Sequence, residues 1–184
     1  MLPPIPSWDG LHPIIVHFPI ALLLVAPVLI LLGMFFGKNN RAFMLSAFIL
    51  MVIGTIATFI AVSTGESAGE LAERLVNAES ILENHEELAE TTRTVFTALT
   101  IIFGAIIVVP LILKKELGKK ILIPISCAFL VFYSAGAVLL INTAHQGGRL
   151  VHEFGVRAVM ANSNQNGTNN QNLPESRRGD GDDD

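Results

Sequence analysis

The chain has 184 residues, 51% of them hydrophobic and only 15% charged, with a formal net charge of −4 and a mean hydropathy of +0.55. So apolar a composition excludes an ordinary soluble domain, and a negative chain with an acidic loop is a poor partner for nucleic acid. The single cysteine, Cys127, rules out an intrachain disulfide and a CxxCH attachment for covalent haem.

Residues 1–9 form a Pro-rich lead-in, with Trp8 where an interfacial anchor belongs. A membrane domain is expected over residues 10–160, built on four apolar runs at about 13–36, 43–63, 95–113 and 121–142. Each is near the ~20 residues that cross a hydrocarbon core, and none contains Asp, Glu, Lys or Arg. The fold class is therefore all-α: an antiparallel bundle of four transmembrane helices. The first run has no Lys or Arg before it and exceeds a signal peptide's apolar core, so it is expected to remain as a span.

That first run opens with LHPIIVHFPIALLL, Leu11 to Leu24. Pro13 suits a first helical turn and makes His12 the expected cap residue. Pro19 removes the N–H that would meet the carbonyl of Ile15, so a bend is expected beside His17. An imidazole inside a span needs a partner, because an unpaired polar group in hydrocarbon costs several kcal/mol. The second run carries a small-residue stripe, Gly54, Ala57, Thr58, Ala61 and Gly65, read as a helix–helix contact.

Between the second and third runs, residues 64–94 hold eight glutamates against Arg74 and Arg93. Ser67 and Glu70 have capping-box spacing, and Leu71, Leu75, Ala78, Leu82, His85 and Ala89 recur as a stripe, so an outer amphipathic helix is expected. All five lysines and Arg41 fall in the other two connections. Lys/Arg excess marks the cytoplasmic face, which places both termini and the acidic loop on the periplasmic side of a bacterial inner membrane. From 161 to 184 the composition is Asn, Gln, Gly and acidic residues, expected to be a disordered tail.

All five histidines fall on that outer side: His12 and His17 at the first span, His85 before the third, His145 and His152 after the fourth. In the last stretch His145, Arg149 and His152 share a helix face, with Gly147 and Gly148 leaving room for a backbone or a flat ligand. Each has a plainer explanation. His12 reads most simply as a cap, His85 as a hydrogen-bonded core residue, Gly147-Gly148 as a helix end and Arg149 as a lipid-phosphate contact. His17 and His145 are the pair that structure alone explains least well.

These motifs, Leu11-His12-Pro13-Ile14-Ile15-Val16-His17-Phe18-Pro19-Ile20-Ala21-Leu22, His85-Glu86 and His145-Gln146-Gly147-Gly148-Arg149-Leu150-Val151, resemble a bacterial membrane family catalogued as domain of unknown function 2231. The resemblance covers about residues 10–155. It implies four membrane helices and an association with electron transfer, since similar domains occur joined to cytochrome c-like or Rieske-type modules. Similar proteins tend to have a glycine and a tyrosine where this chain has Ala144 and His152.

Three functions remain open. The first is an electron-transfer subunit with a non-covalent b-type haem, its axial pair His17 and His145 with His85 as alternative, Arg149 on a propionate, and Gly147 and Gly148 beside the porphyrin edge. A quinol of the membrane quinone pool would donate and a periplasmic carrier or membrane redox complex would accept. The second is a bare Zn, Cu or Ni site from His12, His17, His85 and His145 with Glu66 or Glu86. The third is a scaffold in the lipid bilayer whose acidic helix docks a periplasmic partner. No nucleophile arrangement or phosphate-binding glycine loop points to a hydrolase or a nucleotide-dependent enzyme.

Overall fold

A computed structural model describes residues 7–36, 40–72, 79–114 and 118–153. The first six residues and the tail over 161–184 lie outside the described residues. A 3-10 turn at Asp9–Leu11 leads into α1 (His12–Ile15) and α2 (His17–Phe35), followed by α3 (Asn40–Ala72), α4 (Glu79–Ile112) and α5 (Lys119–His152). Four stretches are long and apolar enough to cross a membrane: His12–Phe35, Asn40–Glu70, Glu79–Pro110 and Lys120–His152. At ~1.5 Å per residue, α3, α4 and α5 reach beyond the ~30 Å of a hydrocarbon core.

The helices pack in a ring: α2 on α3, α3 on α4, α4 on α5, and α5 back on α2, with no close backbone approach across either diagonal among the described residues. The core shows why. Leu23, Ala26 and Ile30 on α2, Met44, Ala47 and Met51 on α3, and Phe96, Leu99 and Phe103 on α4 are all buried. Each set is spaced three then four, the seam of left-handed bundle packing. Phe129, Tyr133 and Leu140 supply the α5 side. Large exposed hydrophobics such as Phe59, Val131 and Phe132 cover the outside, as a lipid-facing surface requires.

Two prolines shape α2. Between α1 and α2 the helical hydrogen bonding is interrupted at Val16, three residues before Pro19, although Val16 keeps right-handed helical dihedrals, φ −59° and ψ −25°. Pro27 lies within α2 and leaves the carbonyl of Leu23 without its helical donor. The buried Tyr133 hydroxyl of α5 donates to that oxygen at 2.6 Å.

Two local expectations change. Pro13 does occupy the first turn, but Leu11 stands at the cap position and no side chain caps α1. His12 is already helical and turns its ring toward α3. The outer connection is helical, yet it is not a separate helix among the described residues. Ser67 and Glu70 continue α3, and residues from Glu79 onward belong to α4. Ser67 Oγ donates backward to the Ser63 carbonyl at 3.3 Å, because a serine inside a continuing helix has no orphan N–H to cap. Leu75 and Ala78 lie outside the described residues.

Candidate functional site

The site lies at the end of the bundle where α1 begins, α3 ends, α4 begins and α5 ends. His12 Nδ1 is 3.0 Å from the Ala61 carbonyl oxygen and 3.2 Å from Thr64 Oγ1. The Thr64 hydroxyl itself donates to Ile60 O at 2.9 Å. On the other side, His85 Nδ1 is 3.1 Å from the Thr143 carbonyl oxygen. A carbonyl only accepts, so in both rings Nδ1 carries the proton and, in the neutral ring, Nε2 keeps its lone pair. Among the described residues no hydrogen bond engages Nε2 of either ring.

Glycines make these seats possible. A Cβ on Gly65 would stand 2.9 Å from His12 Cε1, and one on Gly147 would stand 3.0 Å from His85 Cε1. Any larger residue would push the ring off its carbonyl. Both histidines line one cavity of about 450 Å³, within the ~300–1,000 Å³ of small-molecule sites. Its walls are mainly apolar, with Val16, Ile20, Val62, Leu82, Leu140 and Leu150 among them. Thr92 and Thr143 also line it, their hydroxyls bonded to each other at 2.8 Å. Glu66, Glu83, Glu87 and Glu90, all exposed, and the half-buried Glu86 complete the lining. No Lys or Arg is among the described residues there.

The expected axial pair is not assembled. His17 is exposed and does not line the cavity; His145 is exposed and borders a separate shallow depression with Ala135, Val138 and Asn142. The reason is helical phase. His12, Val16, Pro19, Leu23, Ala26 and Ile30 follow one four-and-three seam, and His17 falls one step off it. On α5 the seam runs Leu140, Thr143, Gly147, Leu150, which sends His145 outward.

Other expected residues separate in the same way. Gly147 lines the cavity; Gly148 does not, and a Cβ there would meet nothing within 4 Å. Arg149, expected at a propionate, is not at the cavity. Its Nε and Nη2 donate to the Glu153 carboxylate at 3.0–3.1 Å and its Nη1 to Gln146 Oε1 at 3.2 Å. The hydrogen bond from Arg149 is the main cause holding the Glu153 carboxyl below its ordinary range, against some desolvation. His152 is exposed at the last turn. Among the described residues no three His, Cys, Asp or Glu side chains gather as metal ligands. Of the set His12, His17, His85 and His145 with Glu66 or Glu86, the cavity collects His12, His85, Glu66 and Glu86 and leaves out His17 and His145. Gly65 and Ala61, read from sequence as packing, prove to be the seat of His12.

The fold and this end of the bundle define a class: a four-helix membrane protein with a histidine-bearing cavity at one end. The sequence model of one family, predicted membrane protein (DUF2231), matches residues 9–160, and the chain belongs to that family. No curated protein matches the chain significantly, and no solved structure does.

Proposed function

We propose that the protein is a membrane electron-transfer subunit that holds a b-type haem in this cavity, with His12 and His85 as the axial ligands in place of His17 and His145. The observation that carries the reading is the pair of fixed tautomers. Histidines that ligate a metal through one nitrogen characteristically donate the other N–H to a carbonyl or carboxylate, which fixes the ring and raises its basicity. Both rings here do so, in one apolar cavity, each over a glycine. Two ligands on facing helices meet the axial demand of haem iron, whereas a bare zinc or copper site calls for three or more.

Bound haem iron would take up and release one electron. The chain's residues do the rest: His12 and His85 hold the iron, Gly65 and Gly147 admit the rings, and the aliphatic walls exclude water. Lysine-rich connections on the opposite end support a periplasmic setting for the cavity in a bacterial inner membrane. There a quinol would be the donor and a periplasmic carrier or membrane redox complex the acceptor.

One feature favours a second reading. Five glutamates and no cation line the cavity among the described residues, a poor surrounding for porphyrin carboxylates. A neutral p-quinol, with a hydroxyl for each imidazole, carries no such penalty. A dithionite-reduced minus oxidised spectrum decides between them. A sharp α-band that is lost in His12→Asn and His85→Asn but kept in His17→Ala and His145→Ala supports haem. No α-band in protein from haem-replete cells overturns it. Saturable binding of decylubiquinol, kept reduced, to that protein would then support the quinol site, and binding of neither probe would leave a scaffold subunit.

A further inference from the structure

The seats of His12 and His85 are one device built twice. In each, a histidine near the start of a hairpin's first helix donates Nδ1–H to a carbonyl near the end of the second, Ala61 or Thr143. In each, the ring lies over the glycine four residues beyond that carbonyl, Gly65 or Gly147. The two spacings from histidine to carbonyl are similar, 49 and 58 residues. Both histidines and both glycines line the same cavity. Helix packing obeys the same relation: exchanging α2 with α4 and α3 with α5 maps the hairpin contacts onto each other, and maps α3 on α4 onto α5 on α2.

We infer that α1–α3 and α4–α5 are two copies of one helical hairpin, related by a pseudo-twofold axis along the bundle, and that the cavity's ligand straddles this axis, held by one Nε2 from each copy. Parallel repeats about an axis along the membrane normal are a known way of building membrane sites. The inference rests on the cavity being a ligand site, as proposed above, and it names the ligand's symmetry. A porphyrin iron ligated on both faces satisfies it, and so does a p-quinol, whose hydroxyls at opposite ends of the ring can each donate to a bare Nε2. A ligand anchored at one point does not. The sequence hides the relation because the shared residues are one histidine and one glycine per copy, far apart in each.

The test uses the full chain in detergent, purified without added haem, and two probes, hemin and decylubiquinol kept reduced without oxygen. His12→Asn and His85→Asn are the variants, because the asparagine amide stands near Nδ1 and keeps the donation to the carbonyl while Nε2 is gone. A purely structural role is rescued by asparagine; ligation is not. For the probe that binds wild type, both variants are expected to weaken binding by more than about tenfold and by the same factor within about threefold. With hemin, both are expected to convert a low-spin spectrum to high-spin. In the ligand-free protein, nitrogen chemical shifts of labelled histidine are expected to show two rings with protonated Nδ1 and bare Nε2. Loss in one variant alone overturns the twofold site and leaves the cavity a ligand site, whereas a protonated Nε2 on either ring overturns the twofold site together with the pair of tautomers behind the haem reading. Failure of both probes to bind wild type overturns both.

Discussion

The Tyr133 hydroxyl donates to the Leu23 carbonyl at 2.6 Å, and Pro27 is the reason that oxygen is free to accept. The two features only make sense together, since a proline-vacated carbonyl in an apolar core leaves a lone pair unsatisfied. Tyr133→Phe should therefore destabilise the bundle by about 1–2 kcal/mol, the range for a buried hydrogen bond in a membrane protein. Pro27→Ala returns an N–H to Leu23. In reversible unfolding in mixed micelles, the double variant should lose less than the sum of the two single losses. Additive losses would mean that Tyr133 does not serve the vacated carbonyl.

The glycines of the site differ sharply in what surrounds them. Gly65→Ala and Gly147→Ala each place a methyl at about 3 Å from an imidazole carbon, so each should cost about 1–3 kcal/mol in the same assay. Gly148→Ala has open space and should be neutral or slightly stabilising, since alanine is the better helix former by about 1 kcal/mol. Equal effects at Gly147 and Gly148 would contradict the seating of His85.

Ser126 is buried, and its Oγ has no hydrogen-bond partner among the described residues. A hydroxyl without a partner in an apolar surrounding is a cost that a methyl avoids. Ser126→Ala should raise stability by about 0.5–1.5 kcal/mol, read from the shift in the unfolding midpoint. Destabilisation would reveal a partner for the hydroxyl.

Acid should loosen the end of α5. The Glu153 carboxyl is held below its ordinary range, chiefly by its hydrogen bond from Arg149. A depressed carboxyl contributes stability above its unfolded pKa and loses it as pH falls through the folded value. Protection of the last-turn amides from hydrogen exchange, corrected for intrinsic rates, should drop between about pH 6 and about pH 3. Glu153→Gln should flatten that dependence and show the low value throughout. An unchanged profile in the variant would show that the pair does not hold this turn.

Much of the fold was legible because a membrane span is written as an uninterrupted apolar run, and the four runs match the four helices. Placing the histidines needed a second signal, the phase of the core seam within each run. That signal was present. On α4 the spacing His85, Ala89, Thr92, Phe96, Leu99, Phe103 runs unbroken from the site into the core, as His12 to Ile30 does on the first span. Read one helix at a time, depth in the membrane favours His17; read against the seam, orientation favours His12. Gly65 and Gly147 were harder, because a glycine's role lies in a side chain arriving from another helix. The capping-box reading at Ser67 and Glu70 failed for a related reason: the motif is local, and whether a helix starts there depends on the turn before it.

Tyr133 and Leu23 are 110 residues apart, on α5 and α2, so Leu23 leaves the ribosome well before its partner. At roughly 5–20 residues per second, the Leu23 carbonyl waits on the order of 5–20 s in the bilayer before its donor is made. Until then α2 is a helix with an open lone pair in hydrocarbon, and the ring of four cannot close. A helix that inserts after α2 is thus also the one that completes it.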